Sequence, residues 1–261
     1  MSRLLTSIVL IPSAAYMMIW GPRWLFIVAA IALACACFHE YRGLAKGFGL
    51  NVNIVAGYGL GVALLLAGAE YLPLLVLSGL LALTVATFTA DLKDSLTASG
   101  ALLLGLTYVF AAWRAGIELR ALNVYWLVFA VTINWAGDTM AFFVGKAIGK
   151  HKLAPRISPA KSWEGATASL VASCLYGTVL LHYLIPSVEM PYAVLLSAAA
   201  NVAGQLGDLA ESALKRGAGV KDSGRFLPGH GGWLDRLDSS LFSMPVVYVL
   251  VKLASQSLAK N

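Results

Sequence analysis

Charged residues are scarce in this 261-residue chain: Asp, Glu, Lys and Arg make up 12% of it, whereas 59% of the residues are hydrophobic. A soluble domain of this size needs more polar surface to cover its core. The composition therefore excludes an ordinary water-soluble fold. Apolar runs of about 16–22 residues recur and are long enough to cross a bilayer. They predict an all-α polytopic integral membrane protein.

Cysteines and the motifs of soluble nucleotide-binding enzymes are also scarce or absent. The three cysteines lie in apolar runs and form no CxxC pair, which argues against a disulfide framework or a cysteine metal site. GKAIGK, residues 145–150, lacks the spacing and the Ser/Thr of a P-loop, and HEYR, residues 39–42, is not HExxH. Neither GxGxxG nor GxSxG occurs. Any enzymatic chemistry must therefore use another arrangement of residues.

About nine transmembrane helices are predicted, with the N-terminus in the cytoplasm and the C-terminus outside. This orientation places most of the 19 Lys and Arg residues on the cytoplasmic side, so the net charge of +6 indicates topology and no nucleic-acid partner. We expect the first span to be retained, because no small-residue cleavage site follows it. The predicted spans are residues 4–20, 24–38, 53–69, 72–90, 99–113, 123–145, 166–185, 192–211 and 239–254.

The few charges are concentrated in LKRGAGVKDSGRFLPGHGGWLDRLD, residues 214–238. Gly-rich turns beside Lys and Arg are typical of phosphate sites, because exposed amides and cations both attract anions. Carboxylates beside such cations are typical of Mg²⁺ sites that use substrate phosphates as further ligands. Asp235 and Asp238 are predicted to open the last helix, and Asp208 to end the helix before it. If those helix ends meet, Asp208 and Asp235 share a metal.

A polar stripe is predicted along the helix ANVAGQLGDLAESALKR, residues 200–216. Its polar residues recur at intervals of three or four, which places them on one helical face. Such a stripe indicates the wall of a polar cleft that faces the cytoplasm, with hydrogen bonding between helices as the alternative. The stripe consists of Asn201, Gln205, Asp208, Ser212 and Lys215.

Asp138 lies deep in the sixth predicted span, one turn after Asn134. An ionisable group there costs on the order of 3 kcal/mol, so it should face a cavity or a partner, in either a functional or a structural role. The basic loop that follows, GKHKLAPRISPAKSWEG, is predicted to turn at Ser158–Pro159 and to begin a helix within residues 162–165. A helix N-terminus at that point would favour an anion.

The stretch from Ser212 to Asp238 resembles the signature of the phosphatidate cytidylyltransferases, also called CDP-diacylglycerol synthases, and residues 137–165 are similar to that family's second stretch. The departures, which are Trp233, Lys146 and Ser162, remove no charge and bear only on substrate preference. The matching positions are Ser212, Lys215, Arg216, Lys221, Asp222, His230, Gly231, Gly232, Asp235, Arg236 and Asp238.

The resemblance implies that CMP is transferred from CTP to the phosphate of phosphatidic acid, which gives CDP-diacylglycerol and pyrophosphate in phospholipid biosynthesis. It also implies Mg²⁺ as cofactor, Asp208 and Asp235 as metal ligands, and a homodimer. We expect a bacterial inner membrane with the active site on the cytoplasmic side. Residues 1–261 are predicted to form one transmembrane domain, with scaffold helices and dimer contacts in 1–122 and the catalytic half in 123–261.

Two groups of residues receive provisional roles. The first is expected to neutralise phosphates or to orient the cations that do so, and consists of Lys215, Arg216, Lys221, Asp222, Arg236 and Asp238. The second is expected to bind the nucleotide or the lipid headgroup or to shape the cleft, and consists of Ser158, Lys161, Glu164, Ser212, His230, Gly231, Gly232 and Asp138.

Two other functions fit the same residues. One is a different CTP-dependent lipid enzyme, either a prenol kinase or a cytidylyltransferase for another lipid phosphate. The other is an ion-coupled anion transporter with Asp138 and Asp208 as intramembrane coupling sites. The concentration of charge in one cytoplasmic loop favours an enzyme over the transporter.

Overall fold

The computed structural model describes residues 12–68, 71–226 and 231–258, and most of these residues are helical. Six helical segments are long and apolar enough to cross a membrane: Arg23–Gly47, Ser95–Leu122, Val124–Ile148, Trp163–Leu184, Met190–Gly217 and Leu234–Gln256. The helices are α1 (12–19), α2 (Arg23–Gly47), α3 (Ile54–Leu66), α4 (Tyr71–Thr89), α5 (Ser95–Gly105), α6 (Ala112–Leu122), α7 (Val124–Ile148), α8 (Trp163–Leu184), α9 (Met190–Gly217) and α10 (Leu234–Leu258).

Each predicted span from residue 24 onward coincides with helix, which confirms a polytopic helical architecture. The span predicted at 99–113 is part of one continuous helical segment, in which a π-helical stretch, Leu106–Ala111, joins α5 to α6. The helix α3 and the apolar part of α4, Leu75–Phe88, are shorter than the six candidate spans, so the count of nine stays a prediction. Residues 4–11 of the first predicted span lie outside the described residues.

Several helices extend beyond the apolar runs that predicted them. The helix α2 continues past residue 38 to Gly47, and α9 continues past Asp208 to Gly217. The prediction that Asp208 ends its helix is therefore wrong, because backbone hydrogen bonding continues where the side chains become polar. The helix α9 stops where Gly219 adopts a φ of 73° and its N–H donates to the carbonyl of Arg216 at 3.1 Å.

The all-α prediction is also wrong in one segment, since residues 152–162 form a two-stranded antiparallel sheet. Its strands are β1 (Lys152–Ala154) and β2 (Ser158–Ser162), with Ala154 opposite Ser158. The turn predicted at Ser158–Pro159 is thus a strand, and a two-stranded sheet tolerates a proline because each strand has an open edge. The predicted helix start is confirmed: Ser162 Oγ accepts a hydrogen bond from Gly165 N at 3.2 Å and caps α8.

The described helices belong to two compact units. The first unit is Met1–Glu118 with Leu214–Leu237. Its core contains a cluster of buried rings, in which the Phe38 and Phe110 centroids lie 5.2 Å apart and Tyr41 Oη donates to the Ala101 carbonyl at 2.7 Å. Gly61 on α3 lies directly against the Phe110 ring. The aromatic core therefore depends on a close helix approach that glycine permits.

The second unit is Leu119–Ala213 with Asp238–Asn261. Polar side chains connect its helices: Ser243 Oγ donates to the Ala130 carbonyl at 2.7 Å, and Asn134 Nδ2 donates to Ser243 Oγ at 3.0 Å. A Cβ at Gly207 would lie 2.6 Å from the Asp238 carbonyl, so α9 and α10 also pack at a glycine. In this unit, small residues and hydrogen bonds hold neighbouring helices together.

We predict that Gly61→Ala destabilises the protein and that Gly59→Ala, on the same helix, does not. The added methyl at Gly61 meets the Phe110 ring, whereas a Cβ at Gly59 has no heavy atom within 4 Å among the described residues. Overpacking of this kind costs about 1–3 kcal/mol, which would lower the melting temperature of the detergent-solubilised protein. Equal melting temperatures for the two variants would contradict the packing described here.

Candidate functional site

Asp235, in the first turn of α10, is a carboxylate that accepts hydrogen bonds at both oxygens. Its Oδ1 accepts from Lys215 Nζ at 2.6 Å. Its Oδ2 accepts from Ser223 N and Ser223 Oγ, both at 2.9 Å, and from Gly232 N at 2.8 Å. The Lys215 and Asp235 side chains are 12% and 6% exposed, so this ion pair is largely shielded from solvent.

Glycine allows the loop before α10 to approach this carboxylate. Gly231 has a φ of 78°, a conformation that residues with a side chain rarely adopt. A Cβ at Gly231 would also lie 2.6 Å from Asp235 Oδ2. The glycine-rich stretch predicted to bind phosphate therefore contacts the Asp235 carboxylate here, and substrate binding by Gly231 and Gly232 stays a prediction.

A second carboxylate of the first unit, Glu40 of α2, contacts the same loop. Its Oε2 accepts from Leu234 N at 2.8 Å and lies 2.9 Å from Ser223 Oγ, and its Oε1 accepts from Trp233 N at 3.0 Å. Glu40 is 7% exposed. The sequence had suggested no role for Glu40 or for Ser223. The one feature of the sequence that could have indicated a role for Glu40 is its charge, which lies next to a predicted apolar span.

The other charged residues of the stretch are more exposed. Arg216 Nη1 donates to the Val220 carbonyl at 3.2 Å, which holds the chain where it leaves α9. Lys221, Asp222 and Arg236 are exposed. His230 lies outside the described residues. The stretch 214–238 thus presents the shielded Lys215–Asp235 ion pair with several exposed charges nearby in sequence.

The second unit contains a cavity of about 360 Å³ between α7, β2, α8 and α9, lined by apolar residues and by a few charged and polar side chains. Three of the residues predicted for the site line it: Asp138, Lys161 and Asp208. Lys161 Nζ lies 2.5 Å from Asp208 Oδ2, and their side chains are 27% and 31% exposed. The cavity therefore holds two carboxylates and one ammonium group.

Some residues of the polar stripe on α9 bond to neighbouring helices, and others line the cavity. Asn201 Nδ2 donates to Ser169 Oγ and Ser173 Oγ, each at 2.9 Å, and Gln205 Nε2 donates to Asn201 Oδ1 at 2.7 Å. Gln205 also lines the cavity. Ser212 Oγ donates to Asp208 Oδ1 at 3.3 Å. Within this unit the stripe thus bonds neighbouring helices and lines a cavity at Gln205 and Asp208, and a cleft that faces the cytoplasm stays a prediction.

Three predicted residues of the second unit are placed elsewhere. Ser158 pairs with Ala154 in the sheet and is not among the described residues that line the cavity beside Lys161 and Asp208. Glu164 accepts from His151 N at 3.2 Å, lies 2.7 Å from His151 Nδ1, and lines a separate, mainly apolar cavity of about 810 Å³. Asp238 Oδ1 accepts from Ser239 N at 2.7 Å in the first turns of α10.

Comparison with known proteins gives a match to the model of the cytidylyltransferase family over residues 1–254. The chain belongs to the cytidylyltransferase family. This match confirms the resemblance noted from residues 212–238 and extends it to the first half of the chain. Membership places the charged cluster around Asp235 in a family that is named for the transfer of a cytidylyl group.

Similar curated proteins include three bacterial phosphatidate cytidylyltransferases. That of Bacillus subtilis is 42% identical over 180 residues, which cover 66% of each chain. That of Staphylococcus saprophyticus is 39% identical over 149 residues, or 57% of each chain. That of Staphylococcus epidermidis is 37% identical over 186 residues, or 70% of this chain and 72% of the relative. The matches thus span roughly three-fifths to seven-tenths of these relatives.

Asp235 belongs to the first unit and Asp208 to the second, and these are the two carboxylates that the family resemblance assigned to Mg²⁺. Asp235 and Asp208 each present an oxygen to a lysine ammonium at 2.6 and 2.5 Å, so each carboxylate can meet a cation. Carboxylate oxygens are ligands that Mg²⁺ prefers, usually one or two of them with phosphate oxygens and water. Among the described residues, no group of three or more His, Cys, Asp or Glu side chains could hold a metal.

We predict that Lys161 and Asp208 stabilise each other in the folded protein. In a double-mutant cycle with Lys161→Met and Asp208→Asn, the double variant should lose about 1 kcal/mol less than the sum of the single variants, because each single change leaves a partner unpaired. Denaturant titration of the detergent-solubilised protein measures this difference. Strict additivity would show that the ion pair contributes nothing to stability.

Proposed function

We propose that this protein is a phosphatidate cytidylyltransferase, which transfers CMP from CTP to phosphatidic acid and releases pyrophosphate. The observation that carries the proposal is the shielded Lys215–Asp235 pair in the Gly-rich stretch 214–238 of a cytidylyltransferase family member. Its relatives named phosphatidate cytidylyltransferase support the choice of lipid substrate. Cations, carboxylates and backbone amides are the groups that a reaction between phosphates requires.

In the proposed reaction, the lipid phosphate is the nucleophile. A phosphate monoester has a second pKa near 6, so phosphatidic acid is largely a dianion at neutral pH and needs no strong general base. One of its oxygens attacks the α-phosphorus of CTP, and the bond from that phosphorus to the bridging oxygen of the β-phosphate breaks. The products are CDP-diacylglycerol and pyrophosphate. Repulsion between two anions is the main obstacle, so the protein must supply positive charge and alignment.

The cationic residues are assigned to the phosphates. Lys215 is held in place by Asp235, and Lys161 by Asp208, so each ammonium has a fixed position from which to meet a phosphate oxygen. The exposed cations of the loop are assigned to the polyphosphate and its leaving group, with Asp222 and Asp238 as their orienting carboxylates. These cations are Arg216, Lys221 and Arg236.

The cavity beside Lys161 and Asp208 in the second unit is assigned to substrate binding, together with Asp138 and Ser212. Ser158, Glu164 and His230 keep their predicted assignment to nucleotide or headgroup binding as part of this proposal. Asp208 and Asp235 are the carboxylates assigned to Mg²⁺. When bound, Mg²⁺ would supply further positive charge to the polyphosphate and to the attacking oxygen.

The membrane context is part of the same proposal. Nine spans with the N-terminus inside would place both basic loops, 146–165 and 212–238, at the cytoplasmic surface, where CTP is available. Phosphatidic acid would enter from the bilayer. The relatives are bacterial, which supports the inner membrane as the location. A homodimer remains an expectation from the family resemblance.

We predict that purified protein in mixed micelles with phosphatidic acid, CTP and Mg²⁺ forms CDP-diacylglycerol and pyrophosphate in equal amounts. Asp235→Asn and Asp208→Asn should each lower kcat by at least about 10²-fold, the scale on which loss of preorganised charge acts. Asp91→Asn serves as the control, because Asp91 is an exposed carboxylate outside both charged clusters.

The products distinguish the other functions. CDP with a lipid phosphate would indicate a kinase, and pyrophosphate only with a different lipid phosphate would indicate another acceptor. Substrate flux into proteoliposomes without CTP turnover would indicate a transporter. Wild-type turnover in Asp235→Asn would remove that residue from the metal assignment.

A further inference from the structure

Glu40 is a shielded carboxylate for which the proposed reaction has no role. Its described hydrogen bonds all go to the segment that carries Asp235: to the Ser223 hydroxyl and to the backbone N–H groups of Trp233 and Leu234. The distances are 2.8–3.0 Å, and the residues joined are more than 180 positions apart in the chain. Burying a carboxylate costs free energy unless its oxygens accept hydrogen bonds, and both oxygens of Glu40 do so.

The first consequence concerns the start of α10. The first N–H groups of a helix have no partner within the helix, and a negative charge is stabilising there. Leu234 is the first residue of α10, and Trp233 precedes it without a side chain suited to capping. Glu40 therefore caps α10 from another helix. Because Asp235 is the next residue, fixing Leu234 N also fixes the position of the Asp235 backbone.

The second consequence concerns Ser223. Its Oγ lies 2.9 Å from Glu40 Oε2 and 2.9 Å from Asp235 Oδ2, and one hydroxyl has one proton to donate. Its backbone N–H donates to Asp235 Oδ2 as well. Ser223 thus connects the two carboxylates, and any shift of Glu40 changes the hydrogen bonds that orient Asp235.

Two glycines lie against the Glu40 carboxylate. A Cβ at either Gly224 or Gly232 would be 2.5 Å from Glu40 Oε1, which no real side chain permits. The absence of side chains at these positions allows the backbone on both sides of residues 227–230 to reach one carboxylate. Part of the glycine content of the signature is therefore explained by Glu40, without reference to phosphate.

We infer that Glu40 is a positioning residue of the cytidylyl-transfer site. It holds the N-terminus of α10 and Ser223 so that Asp235 keeps its orientation toward Lys215. This inference rests on the proposed function for its kinetic consequence, whereas the capping of α10 stands on the contacts alone. Glu40 itself contacts no reacting group in this scheme, and its effect passes through Asp235.

The kinetic test compares Glu40→Gln with His39→Gln, an exposed neighbour on α2 that serves as the matched control. The glutamine introduced by Glu40→Gln has nearly the same size as glutamate but turns an N–H₂ group toward donors that need an acceptor. We expect kcat to fall about 10²-fold, the cost of a misplacement of about 1 Å, while KM for CTP and the yield of folded protein change little. Wild-type kcat in Glu40→Gln would overturn the inference.

Hydrogen exchange provides a second measurement that does not depend on activity. In detergent without substrate, the amides of Trp233 and Leu234 should exchange faster in Glu40→Gln than in wild type or His39→Gln. Unchanged exchange would overturn the capping role even if activity fell. If Glu40→Gln does not fold, Gly224→Ala displaces the same carboxylate and should accelerate the same two amides, and unchanged exchange there would count equally against it.

The two measurements also separate this inference from the proposed function. An inactive wild type with fast exchange in Glu40→Gln would remove cytidylyl transfer and the kinetic role while leaving the cap. An active wild type with unchanged kcat in Glu40→Gln would leave the proposed function and remove the positioning role.

Discussion

The hydrogen bonding of Asp235 is the constraint on which the arrangement of the first unit depends. A carboxylate in so apolar a chain must be neutralised or saturated with donors, and Asp235 receives one ammonium, one hydroxyl and two backbone amides. Meeting that requirement brings together the end of α9, the loop at Ser223 and the start of α10. Glu40 of α2 is a second shielded carboxylate, and it accepts from the backbone N–H groups at the start of α10. The contacts of the site thus follow from supplying hydrogen-bond donors to two shielded carboxylates.

In the second unit, too, a carboxylate is paired with a cation, and neutral hydrogen bonds connect the helices. Asp208 is neutralised by Lys161 from β2, while Asn201 and Gln205 bind neighbouring helices through neutral hydrogen bonds. Gly137 lies against Asn201, Ser169 and Ser173, so this network also needs a residue without a side chain. Neutral polar groups hold neighbouring helices together, and the cavity adds the Lys161–Asp208 ion pair. Neutral groups are favourable between helices because intramembrane charges are costly and neutral hydrogen bonds less so.

Local sequence patterns predicted most of the helices and one polar helical face, but they could not predict contacts between residues that are remote in the sequence. Apolar runs located the helices, the spacing of Asp208 and Ser212 predicted a polar face, and Ser162 indicated the start of α8. The predicted helix ends were wrong because hydropathy locates the apolar side chains, whereas a helix ends where its backbone hydrogen bonding ends. For α9 that end is at Gly217–Gly219, beyond the apolar run. The sheet at 152–162 was missed because it contains Pro159 and no alternation of apolar residues. Glu40 was missed because its partners are remote in sequence.

In the proposed function, the α-phosphate of CTP and its nucleoside are transferred to a lipid phosphate at the charged stretch 214–238. Parallel reactions with CTP radiolabelled at the α-phosphate or at the γ-phosphate, with phosphatidic acid as acceptor, test this most directly. We expect α-label in the lipid product and γ-label in released pyrophosphate. Label from the γ-phosphate in the lipid, with none from the α-phosphate, would contradict cytidylyl transfer and would indicate a kinase.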